Sequence, residues 1–70
     1  MIPVTAPMAG VVYQLPAPVG TDVGEGDSVA VLESMKMHVP VPAPRAGRIK
    51  EVRVREGDFV EEGDILAFLE

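Results

Sequence analysis

Few side chains in this chain can do chemistry. It has no cysteine, so neither a thiolate nucleophile nor a disulfide is available. Its one histidine, His38, has no clustered partners of the kind a zinc or iron site needs. No set of serine, histidine and carboxylate reads as a nucleophilic triad. What remains is a lysine in unusual company. The chain has two lysines, Lys36 and Lys50, and Lys36 stands between two methionines in the stretch Glu33, Ser34, Met35, Lys36, Met37, His38. An amine that loses its proton can attack an activated acyl group. On composition alone a lysine is a solvated surface residue, so any further meaning must come from its position in the chain.

Composition narrows the classes of function. Seventy residues are expected to form one domain, 1–70, with a core that is marginal unless the strands close it efficiently. A net charge of −5 argues against a nucleic-acid binder, whose affinity comes from basic side chains on phosphates. Five of the six basic residues do cluster, at Arg45, Arg48, Lys50, Arg53 and Arg55. With only Tyr13, Phe59 and Phe68 as aromatics, that cluster reads as a solvated strand face rather than a base-stacking platform. No apolar run approaches the roughly 20 residues that cross a bilayer, and neither nucleic acid nor membrane is an expected partner. The expected setting is the cytoplasm, or the mitochondrial matrix in a eukaryote, with the domain a monomer.

The strongest pattern is an internal repeat. Met1 to Glu33 laid over His38 to Glu70 at an offset of 37, without a gap, gives 14 identities in 33 positions. Chance in a chain so rich in Val, Gly, Pro and Ala would give about three, so the chain is two copies of one unit. Ser34, Met35, Lys36 and Met37 alone belong to neither copy. The lysine therefore marks the junction of two halves related by pseudo-twofold symmetry.

Each copy reads as short strands. Seven prolines, seven glycines and many valines, with no 3.6-residue period, disfavour helix throughout. In the second copy the alternation of Arg48, Ile49, Lys50 changes parity at Lys50 and Glu51, and the first copy does the same at Tyr13 and Gln14. A bulge there would re-aim both strands, as at a corner between two sheets. Glu25, Gly26, Asp27 and Glu62, Gly63, Asp64 are turns leading into the final strand of each copy, Ser28 to Ser34 and Ile65 to Glu70. Those two strands are apolar at nearly every position, which predicts cover on both faces. Pro40, Pro42 and Pro44 place the strand after Met37 at a sheet edge. The predicted fold is all-β: a flattened barrel or sandwich of two quasi-symmetric four-stranded halves, without helix.

Between Ser34 and Met37 there is room only for a tight hairpin with Met35 and Lys36 at its centre. Two-residue hairpin turns favour Asn-Gly because both central residues need positive φ. A chain rich in glycine that spends none here is meeting a demand other than stability. Two placements of the methionines are open: packed back on the sheet ends, or projecting as soft, adaptable contacts.

The stretch Glu33 to Met37 resembles the attachment motif of the biotinyl domain family, the biotin carboxyl carrier proteins. Ala6 to Val12 (APMAGVV) and Glu56 to Glu70 (EGDFVEEGDILAFLE) resemble the segments that flank that motif, so the resemblance covers essentially the whole chain. It implies a barrel-sandwich hybrid fold. It also implies that Lys36 carries biotin in amide linkage, with Met35 and Met37 as the flanking motif and Glu33 and Ser34 leading into it. The related lipoyl domains share the two-repeat fold, but their lysine sits in an Asp-Lys-Ala context that is absent here. His38 departs from the glutamate often found after the second methionine. Asp22 sits one place later than Asp58 does in the second copy. Because the repeats align without a gap, the protruding thumb of some bacterial carriers is absent.

The family's chemistry follows by implication. A biotin protein ligase presents an activated biotin to Lys36, and the biotin arm then shuttles carboxylate between the biotin carboxylase and carboxyltransferase subunits or domains of a biotin-dependent carboxylase or decarboxylase. The carrier is not itself an enzyme; it supplies position and reach, and the cofactor supplies the chemistry. Two other readings stand beside this one: a lipoyl-type acyl carrier of a 2-oxoacid dehydrogenase, and an unmodified barrel-sandwich interaction module.

Overall fold

The computed structural model describes residues 1–70. It has eight strands and no helix: β1 (Ile2–Thr5), β2 (Gly10–Gln14), β3 (Asp22–Val23), β4 (Ser28–Ser34), β5 (Met37–Pro42), β6 (Gly47–Val52), β7 (Phe59–Val60) and β8 (Ile65–Leu69). They form two antiparallel four-stranded sheets, ordered β1-β8-β6-β3 and β5-β4-β2-β7. The offset of 37 carries one order onto the other, strand for strand. Each sheet therefore mixes strands of both repeats. Neither half could close its own sheet alone, and the halves interlock.

The core obeys the same symmetry. Its buried residues fall into equivalent pairs: Val4 and Val41, Ala6 and Ala43, Val12 and Ile49, Val23 and Val60, Val29 and Leu66, Ala30 and Ala67, Leu32 and Leu69. Ala17 is also buried, while its equivalent Val54 packs partly buried against the cluster. No polar side chain is buried, so every core position contributes apolar burial with no hydrogen-bonding debt. Backbone bonds also repeat across the two halves. Ala6 N–H donates to Asp64 O at 2.9 Å and Ala43 N–H to Asp27 O at 2.8 Å, tying each half to the turn of the other.

The parity shifts in the sequence are bulges. Pairing slips between Val12 and Gln14 in β2 and between Ile49 and Glu51 in β6. Each strand nevertheless stays in its own sheet, β2 beside β4 and β7, β6 beside β8 and β3, so the bulge re-aims side chains without turning a corner between sheets. The strand containing Pro40 and Pro42 is an edge, as the prolines require, and so is β1 with Pro3.

The two strands with near-continuous apolar sequence are not covered on both faces. Val31 and Phe68 are only half-buried and Ile65 is exposed, because the molecule has two layers and nothing lies outside them. Their apolar runs have another origin. Val29 and Ala30, like Leu66 and Ala67, are consecutive and both buried, and pairing is irregular between Ser28 and Ala30. Arg53 offers partial cover to Phe68, its guanidinium 5.9 Å from the ring centre.

The turn chemistry explains the displaced aspartate. Asp27 and Asp64 each accept a backbone N–H three residues back, from Gly24 at 2.8 Å and Glu61 at 2.9 Å. Asp58 does the same for Arg55 at 2.9 Å, but the equivalent donor in the first copy would be Pro18, which has no N–H. Thr21 therefore suffices there. Asp22, freed of a turn duty, accepts a 2.9 Å hydrogen bond from Nε of Arg48. That bond, and secondarily the charge, holds the Asp22 carboxyl below the usual carboxylate range and raises Arg48 in return. Both groups are exposed, and such a pair adds little to stability.

Candidate functional site at the Met35 and Lys36 turn

Strands β4 and β5 pair from Ser28 with Pro42 up to Ser34 with Met37, leaving Met35 and Lys36 as the two turn residues. Their φ angles are 53° and 65°. They are the only non-glycine residues in the chain with positive φ; the others are Gly20, Gly26, Gly57 and Gly63. A two-residue hairpin compatible with strand twist imposes this conformation, and a side chain held there costs on the order of 1–2 kcal/mol. The turn is strained at the residues that have the most to present.

Met35 is 91% exposed and Met37 64%, so neither packs back on the sheet ends. Lys36 is exposed, and no carboxylate forms an ion pair with it. The molecule's two shallow surface depressions lie elsewhere, one between the edge strands at Pro3, Thr5, Pro42 and Pro44, the other at Gln14, Leu15, Pro16 and Glu56. This chain offers no pocket beside the amine. An unpaired primary amine on a projecting turn suits covalent attachment through an amide, and it does not suit non-covalent capture of a ligand.

One pair down from the turn, Glu33 and His38 face each other across β4 and β5. His38 Nε2 lies 3.2 Å from Glu33 Oε2, and its ring stacks on Tyr13 of β2 with centroids 4.0 Å apart and an 18° interplanar angle. A glutamate at position 38 would set two carboxylates directly opposite, which is unfavourable in a sheet. Here the histidine turns repulsion into a contact and recruits Tyr13 across the intervening strand. Ser34, half-buried, closes the ladder at Met37.

The strand that leads to the turn is held from the other side by Gly10. A Cβ at Gly10 would lie 2.7 Å from the carbonyl oxygen of Glu33. That atom is backbone in a paired strand and has nowhere to go. The Gly10→Ala variant is therefore expected to lose about 1–3 kcal/mol of stability through overpacking, a large part of the roughly 4–10 kcal/mol that a domain of this size possesses. Gly24→Ala, whose added carbon meets only ordinary van der Waals contacts, is the control and should be nearly neutral. Urea melts of the two variants check this.

The two outer sheet faces differ although their backbones correspond. On the sheet that holds the turn, Phe59, Val11, Glu33 and His38 form a row across β7, β2, β4 and β5, with Tyr13 beside it. Phe59 is 66% exposed, and Tyr13 and Val11 are exposed too. The equivalent positions of the other sheet carry Asp22, Arg48, Glu70 and Met1, with Lys50 in place of Tyr13. Arg48 and Lys50 are exposed on β6, and with Arg48 bonded to Asp22 the face is of mixed charge rather than basic. The face beside Lys36 exposes Phe59, Val11 and Tyr13 next to the Glu33 and His38 pair; at the equivalents of those three positions its counterpart carries Asp22, Arg48 and Lys50.

Two interlocked four-stranded sheets, closed by symmetry and presenting one lysine on a strained turn, define a barrel-sandwich domain of the attachment type. The family model described as "Biotin-requiring enzyme" matches residues 2–69, and the chain belongs to that family, the biotin/lipoyl attachment domains. Among solved structures, a single-chain, multi-domain long-chain acyl-CoA carboxylase matches at a TM-score of 0.87 and 40% identity over 93% of this chain. The Kluyveromyces lactis urea carboxylase matches at a TM-score of 0.92 and 31% identity over 97%. In each case this chain spans 6% of the length of the larger protein. No curated protein sequence matches the chain.

Proposed function

We propose that this chain is a biotin carboxyl carrier domain in which Lys36 is the attachment site. The observation that carries the reading is the Met35 and Lys36 turn: two side chains held at positive φ, against local preference, at the one place where neither repeat extends. Membership of the attachment family and likeness to two carboxylases support it.

In this reading a biotin protein ligase docks on the hairpin and removes a proton from the Lys36 ammonium. Nζ then attacks the acyl carbon of an activated biotin, an amide bond forms, and the activating group departs. The chain provides no acid or base for this step. Its part is to hold the amine clear of the body, with Met35 and Met37 beside it as apolar contacts and Gly10, Glu33, His38 and Tyr13 fixing the strands beneath. Once attached, biotin supplies carboxylate transfer between biotin carboxylase and carboxyltransferase partners, and the rigid body confines it to a high effective concentration at both. The domain is a carrier, not a catalyst.

Methionines on both sides of the lysine favour biotin over lipoate. Parallel incubations of the purified chain, one with a biotin ligase, ATP and biotin and the other with a lipoate ligase, ATP and lipoate, test the choice. A single biotinyl mass addition and at most a trace of lipoyl addition is expected. Preferential lipoylation would replace this reading with the acyl-carrier one, and no modification by either would favour an interaction module.

A further inference from the structure

Met35 and Met37 fulfil no structural duty. The first is 91% exposed at a strained turn position, the second 64% exposed, and neither joins the core. A glycine or asparagine would serve the turn better, and a leucine would offer the same apolar bulk. What a thioether has and these lack is a sulfur lone pair that peroxides oxidise to a sulfoxide, a product that methionine sulfoxide reductases return to the thioether at the expense of a thiol reductant. We propose that Met35 and Met37 form a peroxide-sensitive modification site whose oxidation lowers the rate at which Lys36 is loaded; this rests on Lys36 being the biotin attachment site.

The chemistry balances with hydrogen peroxide as the sole co-reactant. A sulfur lone pair attacks one peroxide oxygen, the O–O bond breaks, and a sulfur–oxygen bond forms. Sulfur is oxidised by two electrons and the peroxide leaves as water. The product is a polar, chiral sulfoxide on either side of the amine, where the unoxidised side chains present soft apolar surface. Since neither side chain packs in the core, the fold is indifferent to the change. Only a partner that grips the turn detects it.

Exposure sets the order of attack within the folded body. Met8 is half-buried, so sulfoxide should accumulate at Met35 and Met37 well before Met8, while the exposed Met1 oxidises alongside them without touching the turn.

The experiment treats the full chain with limiting hydrogen peroxide, maps sulfoxides by peptide mass spectrometry, and then measures the initial rate of loading by a biotin ligase with ATP and biotin. We expect sulfoxide at positions 35 and 37 several-fold ahead of position 8, an unchanged melting temperature, a loading rate reduced about fivefold or more, and recovery after methionine sulfoxide reductases. A Met35→Leu and Met37→Leu double variant, whatever its own untreated rate, should show a treated-to-untreated ratio of one. An oxidised wild-type chain that loads at the untreated rate overturns the proposal alone. So does a loss of rate that is equally large in the double variant. An untreated chain that takes no biotin overturns the attachment reading and this proposal with it.

Discussion

Replacing Met35 with Asn and Lys36 with Gly together should make the domain more stable and abolish its acceptance of biotin. The stability gain follows from the backbone. Both positions are held at positive φ, 53° and 65°, where asparagine and glycine are far less strained than methionine and lysine. Relief of strain at two residues is partly offset by the greater freedom that glycine gives the unfolded chain, leaving a net gain of about 1 kcal/mol. For a domain of this size that raises the melting temperature by roughly 4–8 °C. No core side chain is touched, so no loss of packing competes with the increase. The functional loss is complete because the remaining lysine, Lys50, lies within a repeat and on the opposite sheet face. A variant that melts lower than wild type would mean that the turn is not where strain is stored.

Exchanging the two turn residues, Met35→Lys with Lys36→Met, separates geometry from composition. Charge, hydrophobicity and core are all constant, and both positions keep positive φ, so the melting temperature should hardly move. The amine, however, leaves the second turn position for the first, and in a hairpin of two-residue period a shift by one place re-aims the side chain. Loading by a biotin ligase is expected to slow at least tenfold, equivalent to about 1.4 kcal/mol in activation free energy. Equal rates would show that the tip geometry is not what selects the lysine.

Much of this was legible from residues alone, and the reasons are specific. The gapless repeat implied a symmetric body with Lys36 at its one irregular point. The parity changes at Lys50 and at Tyr13 located both bulges, since alternation is a property of the strand itself. The spacing between Ser34 and Met37 fixed the turn residues. Contacts across strands were not legible. The stack of Tyr13 on His38 spans β4 and depends on the register of a bulged strand, which sequence spacing does not determine. The clash that a side chain at Gly10 would meet depends on where the Glu33 carbonyl lies, a fact of pairing and not of composition. The interleaving of strands from both repeats in each sheet was likewise hidden: symmetry says that the halves correspond, not which strands exchange. Continuous apolar sequence in Ile65 to Glu70 pointed to cover on both faces, whereas the structure accounts for it by two adjacent buried residues on one strand.

The central claim is that the amine at the tip of the β4–β5 hairpin is the single attachment point. Incubating the wild-type chain with a biotin ligase, ATP and biotin, digesting it, and sequencing the peptides by tandem mass spectrometry tests it directly. One biotinyl group on Lys36, with Lys50 and the N-terminal amine unlabelled, is the predicted result. Label on Lys50, or label divided between the two lysines, would contradict it.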